Sequence, residues 1–239
     1  MTQEPIIPLI ILGMRRSGTS CLAGSLESAG IYLGKVSHAN KYNKKGNKEN
    51  NQVIKLNDLI LAHNNADWKK PPIKEISWTK QHEEQGIHII QEYEKNCTGK
   101  YWGIKDPRIL LTLPFWQKLL PNAKYIGTYR NPISVANSLN NRERISIEIN
   151  LGITLWLIYN GKMMVFHQTH NFPLISFDFP EKIYINKTKD ILSHFDLNHT
   201  QNHQFFDNSM RHQDSFDKEN FSSHKKIRQI LKYFNEVNL

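Results

Sequence analysis

The sequence predicts an α/β fold of three layers, a central mostly parallel sheet flanked by helices. Three observations predict it. Apolar runs of strand length recur at Ile6 to Leu12, Tyr101 to Lys105, Tyr125 to Tyr129 and Leu174 to Phe179. Segments with helical spacing separate them, and the β-α alternation implies a doubly wound sheet. The first run also passes through a glycine-bracketed loop directly into a helix pattern.

Ile6 to Leu12, between Pro5 and Gly13, suits a strand buried on both faces. From Thr19 to Ala29, Leu22, Leu26 and Ala29 recur at helical spacing and Gly30 supplies a stop. After a lysine-rich stretch, Val53, Leu56, Leu59, Ile60 and His63 repeat with helical period, and a more polar helix spans Thr79 to Lys95. Pro107 stops the strand at Tyr101 to Lys105, and Ile109 to Leu120 reads as a helix that Pro114 should bend or split. Past the strand Tyr125 to Tyr129, Asn131 is a natural N-cap and Pro132 a natural first residue for a helix to Asn141. Helical patterns from Ser146 to about His167 and from Lys182 to Phe195 flank the strand Leu174 to Phe179. Residues 198–220 are polar and read as surface loop, followed by a closing helix from Ser223 to Glu236. No repeat or linker divides the 239 residues, which read as one domain.

Composition sets outer bounds. Hydrophobic residues at 39% and charged residues at 22% are those of a chain that folds around a core, not of a disordered or fibrous one. The net charge of +9 predicts attraction to anions, with a local focus of six lysines from Lys35 to Lys55 against the single acid Glu49. That run also fits a solvated loop. Cys21 and Cys97 are the only cysteines, and the eleven histidines lack paired spacing, so neither a disulfide scaffold nor a metal site is expected. No signal peptide or membrane-spanning stretch is evident, and a cytoplasmic protein is the expectation.

The loop Gly13-Met14-Arg15-Arg16-Ser17-Gly18-Thr19-Ser20 has the glycine spacing of a P-loop, which makes the expected fold P-loop NTPase-like. Thr19 stands where a nucleotide triphosphatase carries lysine. Backbone N–H groups at a helix N-terminus still suit a phosphate, but the charge that reaches a γ-phosphate is missing from the loop. Arg16 puts a charge earlier in it. A second anion-binding pattern begins where the strand Tyr125 to Tyr129 runs into Arg130, with Ser138 eight residues further on. A guanidinium fork and a hydroxyl together match a phosphate dianion. Ordinary roles, a strand-helix turn and a helix-start arginine, compete with each reading taken singly.

Taken together, Arg16, Ser17, Gly18, Thr19 and Ser20 resemble the 5′-phosphosulfate loop of the sulfotransferase family that uses 3′-phosphoadenosine 5′-phosphosulfate (PAPS), and Arg130 with Ser138 resembles its 3′-phosphate segment. The resemblance is to bacterial members, and it covers the chain from about Ile6 to Phe179. It implies metal-independent sulfuryl transfer from PAPS to a hydroxyl or amine of a small-molecule or glycan acceptor, leaving adenosine 3′,5′-bisphosphate. Arg15, Arg16, Ser17, Gly18, Thr19, Ser20, Arg130 and Ser138 would hold the nucleotide, Arg16 also stabilising the leaving group. Asn43 to Asn50 resembles an Asn-x-x-Gly-x-x-Glu stretch of the family, which makes Glu49 the first candidate for general base, with His38 or Asp106 as alternatives. Trp102 to Arg108 is a third family-like segment whose Lys105 could clamp the sulfonate, with Asp106 or Arg108 orienting it. Arg211 lies in a looser late match. Cys21 departs from the family, since many eukaryotic members have an aromatic there. Two other functions stay open at this stage: a P-loop nucleotide kinase, and a non-enzymatic basic module binding nucleic acid or acidic polysaccharide.

Overall fold

The computed structural model of the protein describes residues 5–36, 46–141, 146–197 and 225–238. Its α/β core is a four-stranded parallel sheet in the order β2-β1-β3-β4, made of β1 (Ile7–Leu12), β2 (Tyr101–Lys105), β3 (Lys124–Tyr129) and β4 (Leu174–Ser176). Eight helices surround it among the described residues: α1 (Thr19–Ser28), α2 (Asn51–His63), α3 (Lys80–Asn96), α4 (Ile109–Leu119), α5 (Pro132–Asn140), α6 (Ile149–His170), α7 (Glu181–His194) and α8 (Lys225–Val237). His38, Arg211 and the expected loop at 198–220 lie outside the described residues.

The period of two along a strand sorts the apolar side chains between two cores. Ile10 and Leu12 of β1 point with Trp102, Ile104 and Tyr129 into the larger core, under α2 to α6 and α8. Leu9 and Ile11 point with Tyr101, Ile126 and Ile175 to the other face, against Leu22 and Leu26 of α1 and Tyr184, Ile191 and Leu192 of α7. This explains why β1 reads as an unbroken apolar run, because both of its faces are covered. The expected three layers and parallel sheet are present.

Local signals set most element ends. Helix α1 stops in a Schellman turn, in which Ile31 N bonds Leu26 O and Gly30 N bonds Glu27 O, with Gly30 at φ 104. Helix α5 opens with Pro132 after the Asn131 side chain accepts from the Ile133 and Ser134 amides. The helical run of α4 breaks at Thr112 (φ −107, ψ 15), just ahead of Pro114, which lacks an N–H for the turn before it. Helix α2 forms where the helical period is read; its outward side includes Leu59, 48% exposed, and His63, while its buried stripe is Val53, Leu56, Asn57, Ile60 and Leu61. At 100° per residue, position 57 shares a face with 53, 60 and 61, so a polar residue occupies a core position. The strand expected to run from Leu174 to Phe179 pairs only through Ser176, because the chain then turns, with Asp178 N bonding Ser176 Oγ.

Helix α8 is fastened to the sheet by polar contacts as well as by Ile227, Ile230 and Phe234. The Tyr129 hydroxyl donates to Asn235 Oδ1 at 2.9 Å and accepts from Asn238 Nδ2 at 3.1 Å. On α6, His167 is buried, with Nε2 2.8 Å from the Phe172 carbonyl and Nδ1 2.7 Å from the Tyr233 hydroxyl. A carbonyl only accepts, so Nε2 carries the proton and Nδ1 accepts from Tyr233. Burial therefore holds the His167 pKa below the usual value near 6.5, partly offset by the Phe172 carbonyl. Between the two pKa values the unfolded chain binds a proton that the folded chain does not, so stability is full above about pH 6.5 and falls on acidification below it. We expect His167→Gln to lose part of the wild-type fall in melting temperature between pH 7.5 and 5.5, a difference of about 2–4 °C per kcal/mol. Parallel melting curves across that range would show it, and identical pH profiles would count against it.

Candidate functional site

The β1-α1 loop is held at the carboxyl end of the sheet by its neighbours. β1 lies between β2 and β3, with Leu12 in register with Gly127, so the loops after β1, β2 and β3 open side by side. The Thr128 hydroxyl donates to the Ser17 carbonyl at 2.9 Å, tying the first loop to the third strand. Within the loop Ser17 N bonds Met14 O, and Arg16 takes a left-handed conformation at φ 70. Gly18 is the N-cap of α1 at φ 83 and offers no side chain to cap the helix. The N–H groups of the first turn therefore face the site with the positive end of the helix dipole behind them.

The left-handed turn sends two consecutive arginines in different directions. Arg16 reaches across to α5, where its Nε donates to Ser138 Oγ at 2.7 Å. Arg15 lies instead over Trp68, its guanidinium carbon 4.7 Å from the indole centroid. Arg130, at the end of β3, is 5% exposed and packs over Phe177, with Nε 3.5 Å from Asp178 Oδ1. The Arg16 loop and the Arg130 to Ser138 segment therefore share one face of the molecule, joined by a direct hydrogen bond.

Lys105, the last residue of β2, lies on the opposite side of the loop. Its Nζ is 2.7 Å from Glu49 Oε1, 2.9 Å from the Asn47 carbonyl and 3.3 Å from Ser20 Oγ. An ammonium has three protons, and each has an acceptor here. The neighbouring strand thus brings an ammonium group against the loop. Ser20 Oγ in turn donates to the Asn47 carbonyl at 3.0 Å. The segment bearing Glu49 is strapped to α1 by Lys48, at φ 56, whose Nζ is 2.6 Å from Glu27 Oε2. Asn50 then caps α2 by accepting from the Gln52 and Val53 amides. Burial alone pushes the Glu49 carboxyl up, but Lys105, Arg15 and Arg108 together outweigh it and hold its pKa below the usual carboxylate value.

A sulfotransferase family model matches residues 8–173, a span that takes in the β1-α1 loop, Lys105, Arg130 and Ser138. The chain belongs to the sulfotransferase family. Among solved structures it is similar to the sulfotransferase domain from the Synechococcus PCC 7002 olefin synthase, at 17% identity and a TM-score of 0.46 over 99% of this chain and 92% of that one. No curated protein matches it.

Sequence reasoning had less to say about what surrounds Asp106 in this sulfotransferase. Asp106 Oδ1 accepts from the Arg108 amide at 2.9 Å and from Arg108 Nη1 at 3.0 Å, while Oδ2 accepts from Asn57 Nδ2 at 3.2 Å. Asn57 Oδ1 accepts from Thr112 Oγ1 at 2.7 Å and Trp116 Nε1 at 2.8 Å, and the outer side of Arg108 meets Asp58 at 2.6 Å. With both oxygens engaged, Asp106 fixes Arg108 and the turn after β2. The hint in the sequence was Asn57 itself, a polar residue on the apolar stripe of α2. Trp68 could not have been found this way, since nothing in the sequence links it to the loop more than fifty residues earlier. No group of potential metal ligands occurs among the described residues.

Proposed function

We propose that the protein transfers a sulfuryl group from PAPS to a hydroxyl or amine of an acceptor. The Arg16–Ser138 hydrogen bond carries this reading, since it brings two phosphate-type donor clusters within reach of one nucleotide. The buried Ser17 hydroxyl has no hydrogen-bond partner among the described residues, and a phosphate oxygen would satisfy it. On this reading the 5′ side of the donor lies against the α1 N-terminus and Arg16, and its 3′-phosphate lies against Arg130 and Ser138.

The Lys105–Glu49 pair then supplies a switch. With Lys105 turned toward the sulfonate oxygens, Glu49 loses its nearest positive charge and burial raises its pKa, the direction a general base requires. The acceptor O–H or N–H proton passes to Glu49 as the new bond to sulfur forms. The bond from sulfur to the 5′-phosphate oxygen breaks, and its electron pair stays on that phosphate beside Arg16 and the loop amides. No step requires a metal ion.

Titration calorimetry with adenosine 3′,5′-bisphosphate, and with ATP and magnesium in parallel, tests the reading. The bisphosphate is expected to bind at least about tenfold more tightly than ATP, and Arg130→Ala to weaken it about 10–100-fold, the worth of charge-assisted bonds to a phosphate. Equal binding of ATP, together with an Arg130→Ala variant that binds like wild type, would overturn it.

A further inference from the structure

The connection between α2 and α3, residues 64–79, leaves the core and returns to it. Near its start, Trp68 lies under Arg15 and its carbonyl accepts from the Tyr159 hydroxyl at 3.0 Å. The apolar residues Ala66, Trp68, Ile76 and Trp78 all pack on the core. Ile73 does not, and is 101% exposed. Lys69, Lys70 and Lys74 are exposed on the same loop, against the exposed acids Asp67 and Glu75.

This tip is built, not slack. The Asp67 carboxylate accepts from the Lys70 amide at 2.9 Å. Asn64 closes the base of the loop, donating to the Ser77 carbonyl at 2.8 Å and accepting from the Ser77 amide at 2.9 Å. Pro71 and Pro72 each fix φ just before Ile73. A large branched apolar side chain is thus presented to water on a braced loop that also carries three exposed lysines, the Lys69 ammonium lying over the Trp68 ring.

We propose that this loop docks the protein on an anionic lipid surface, with Ile73 entering the headgroup boundary and Lys69, Lys70 and Lys74 meeting lipid phosphates. The residue types choose this occupant over others. Protein interfaces are depleted in lysine and favour arginine and aromatic anchors, and single-stranded nucleic acid needs aromatic faces that isoleucine lacks. Lipid phosphates place little geometric demand on a cation, which suits a flexible ammonium, and the acyl boundary accepts an aliphatic side chain without a shaped pocket. Trp68 belongs to both the loop and the site, so docking brings the rim of the site to the lipid. That the acceptor is itself an amphiphile drawn from that surface rests on the sulfuryl-transfer reading above.

The test is sedimentation of the full chain with vesicles of phosphatidylcholine alone, or of phosphatidylcholine and phosphatidylglycerol in equal parts. Wild type is expected to sediment with the anionic vesicles and to be released by salt. Ile73→Ser, which leaves the charge unchanged, is expected to weaken this about tenfold, and the triple variant Lys69→Gln, Lys70→Gln, Lys74→Gln to reduce it to the level seen with phosphatidylcholine. Equal sedimentation of wild type and Ile73→Ser would assign the adsorption to overall charge and overturn the docking proposal, as would no sedimentation at all. Adenosine 3′,5′-bisphosphate binding measured on the same samples separates the two readings. Intact nucleotide binding without vesicle binding sinks the docking alone, and vesicle binding without nucleotide binding sinks the donor reading alone.

Discussion

Lys105→Met is expected to lower sulfuryl-transfer turnover about 10²–10³-fold and to destabilise the fold by about 3–5 kcal/mol at pH 7. Both effects come from one geometry. The ammonium is buried and fully engaged, by Glu49, the Asn47 carbonyl and Ser20, so methionine removes three charge-assisted bonds and strands a buried carboxylate. The stability loss should depend on pH with a definite sign. In wild type the Glu49 pKa is depressed, so its contribution is present above the unfolded value near 4.5 and is lost as pH falls below it. Without Lys105, burial raises that pKa, so the penalty is full near neutrality and shrinks as Glu49 protonates. Urea melts of both proteins at pH 7 and pH 4.5 should therefore converge at the lower pH. The double variant Lys105→Met, Glu49→Gln should regain stability but, lacking both the sulfonate clamp and the base, not turnover. Recovery of turnover along with stability would remove both Lys105 and Glu49 from the chemistry.

Gly18→Ala is expected to destabilise the protein by about 2–4 kcal/mol and to weaken adenosine 3′,5′-bisphosphate binding about 100-fold. Gly18 has φ 83, and a Cβ there would lie 2.2 Å from Phe177 Cδ2. Phe177 also packs beneath Arg130, so moving the ring disturbs both phosphate segments at once. Gly30→Ala provides the control. It has φ 104 but nothing within 4 Å of the added carbon, so only backbone strain of about 1 kcal/mol is expected and nucleotide binding should persist. Calorimetry and thermal melts on the two variants decide the matter, and equal effects at the two glycines would refute the packing account.

The fold was legible because its signals are local. Gly30, Asn131 with Pro132, and Pro114 each mark a boundary or a bend by backbone chemistry that no distant contact overrides. The buried role of Asn57 was not legible for the opposite reason. The helix turns Asn57 inward, where Asp106, Thr112 and Trp116 satisfy its amide from elements about fifty residues away. Periodicity counts apolar residues and so overlooks a buried polar one. The positions of Arg16, Lys105, Arg130 and Ser138 around the loop followed from motifs at the ends of strands, where a parallel sheet gathers its loops. What the motifs could not give was direction. One left-handed residue decides that Arg16 faces Ser138 while Arg15 faces Trp68, and only the folded backbone contains that choice.

The central place of β1 has a consequence for biosynthesis. Both of its partners come late, since Ile7 pairs with Tyr101 and Leu9 with Lys124. At ribosomal speeds of about 5–20 residues per second, the most apolar segment of the nascent polypeptide stays unzipped for roughly 5–20 s before either companion strand exists. During that interval Ile7–Leu12 is a sticky ribbon awaiting its mates, the kind of unpaired apolar edge that makes a nascent chain prone to aggregate.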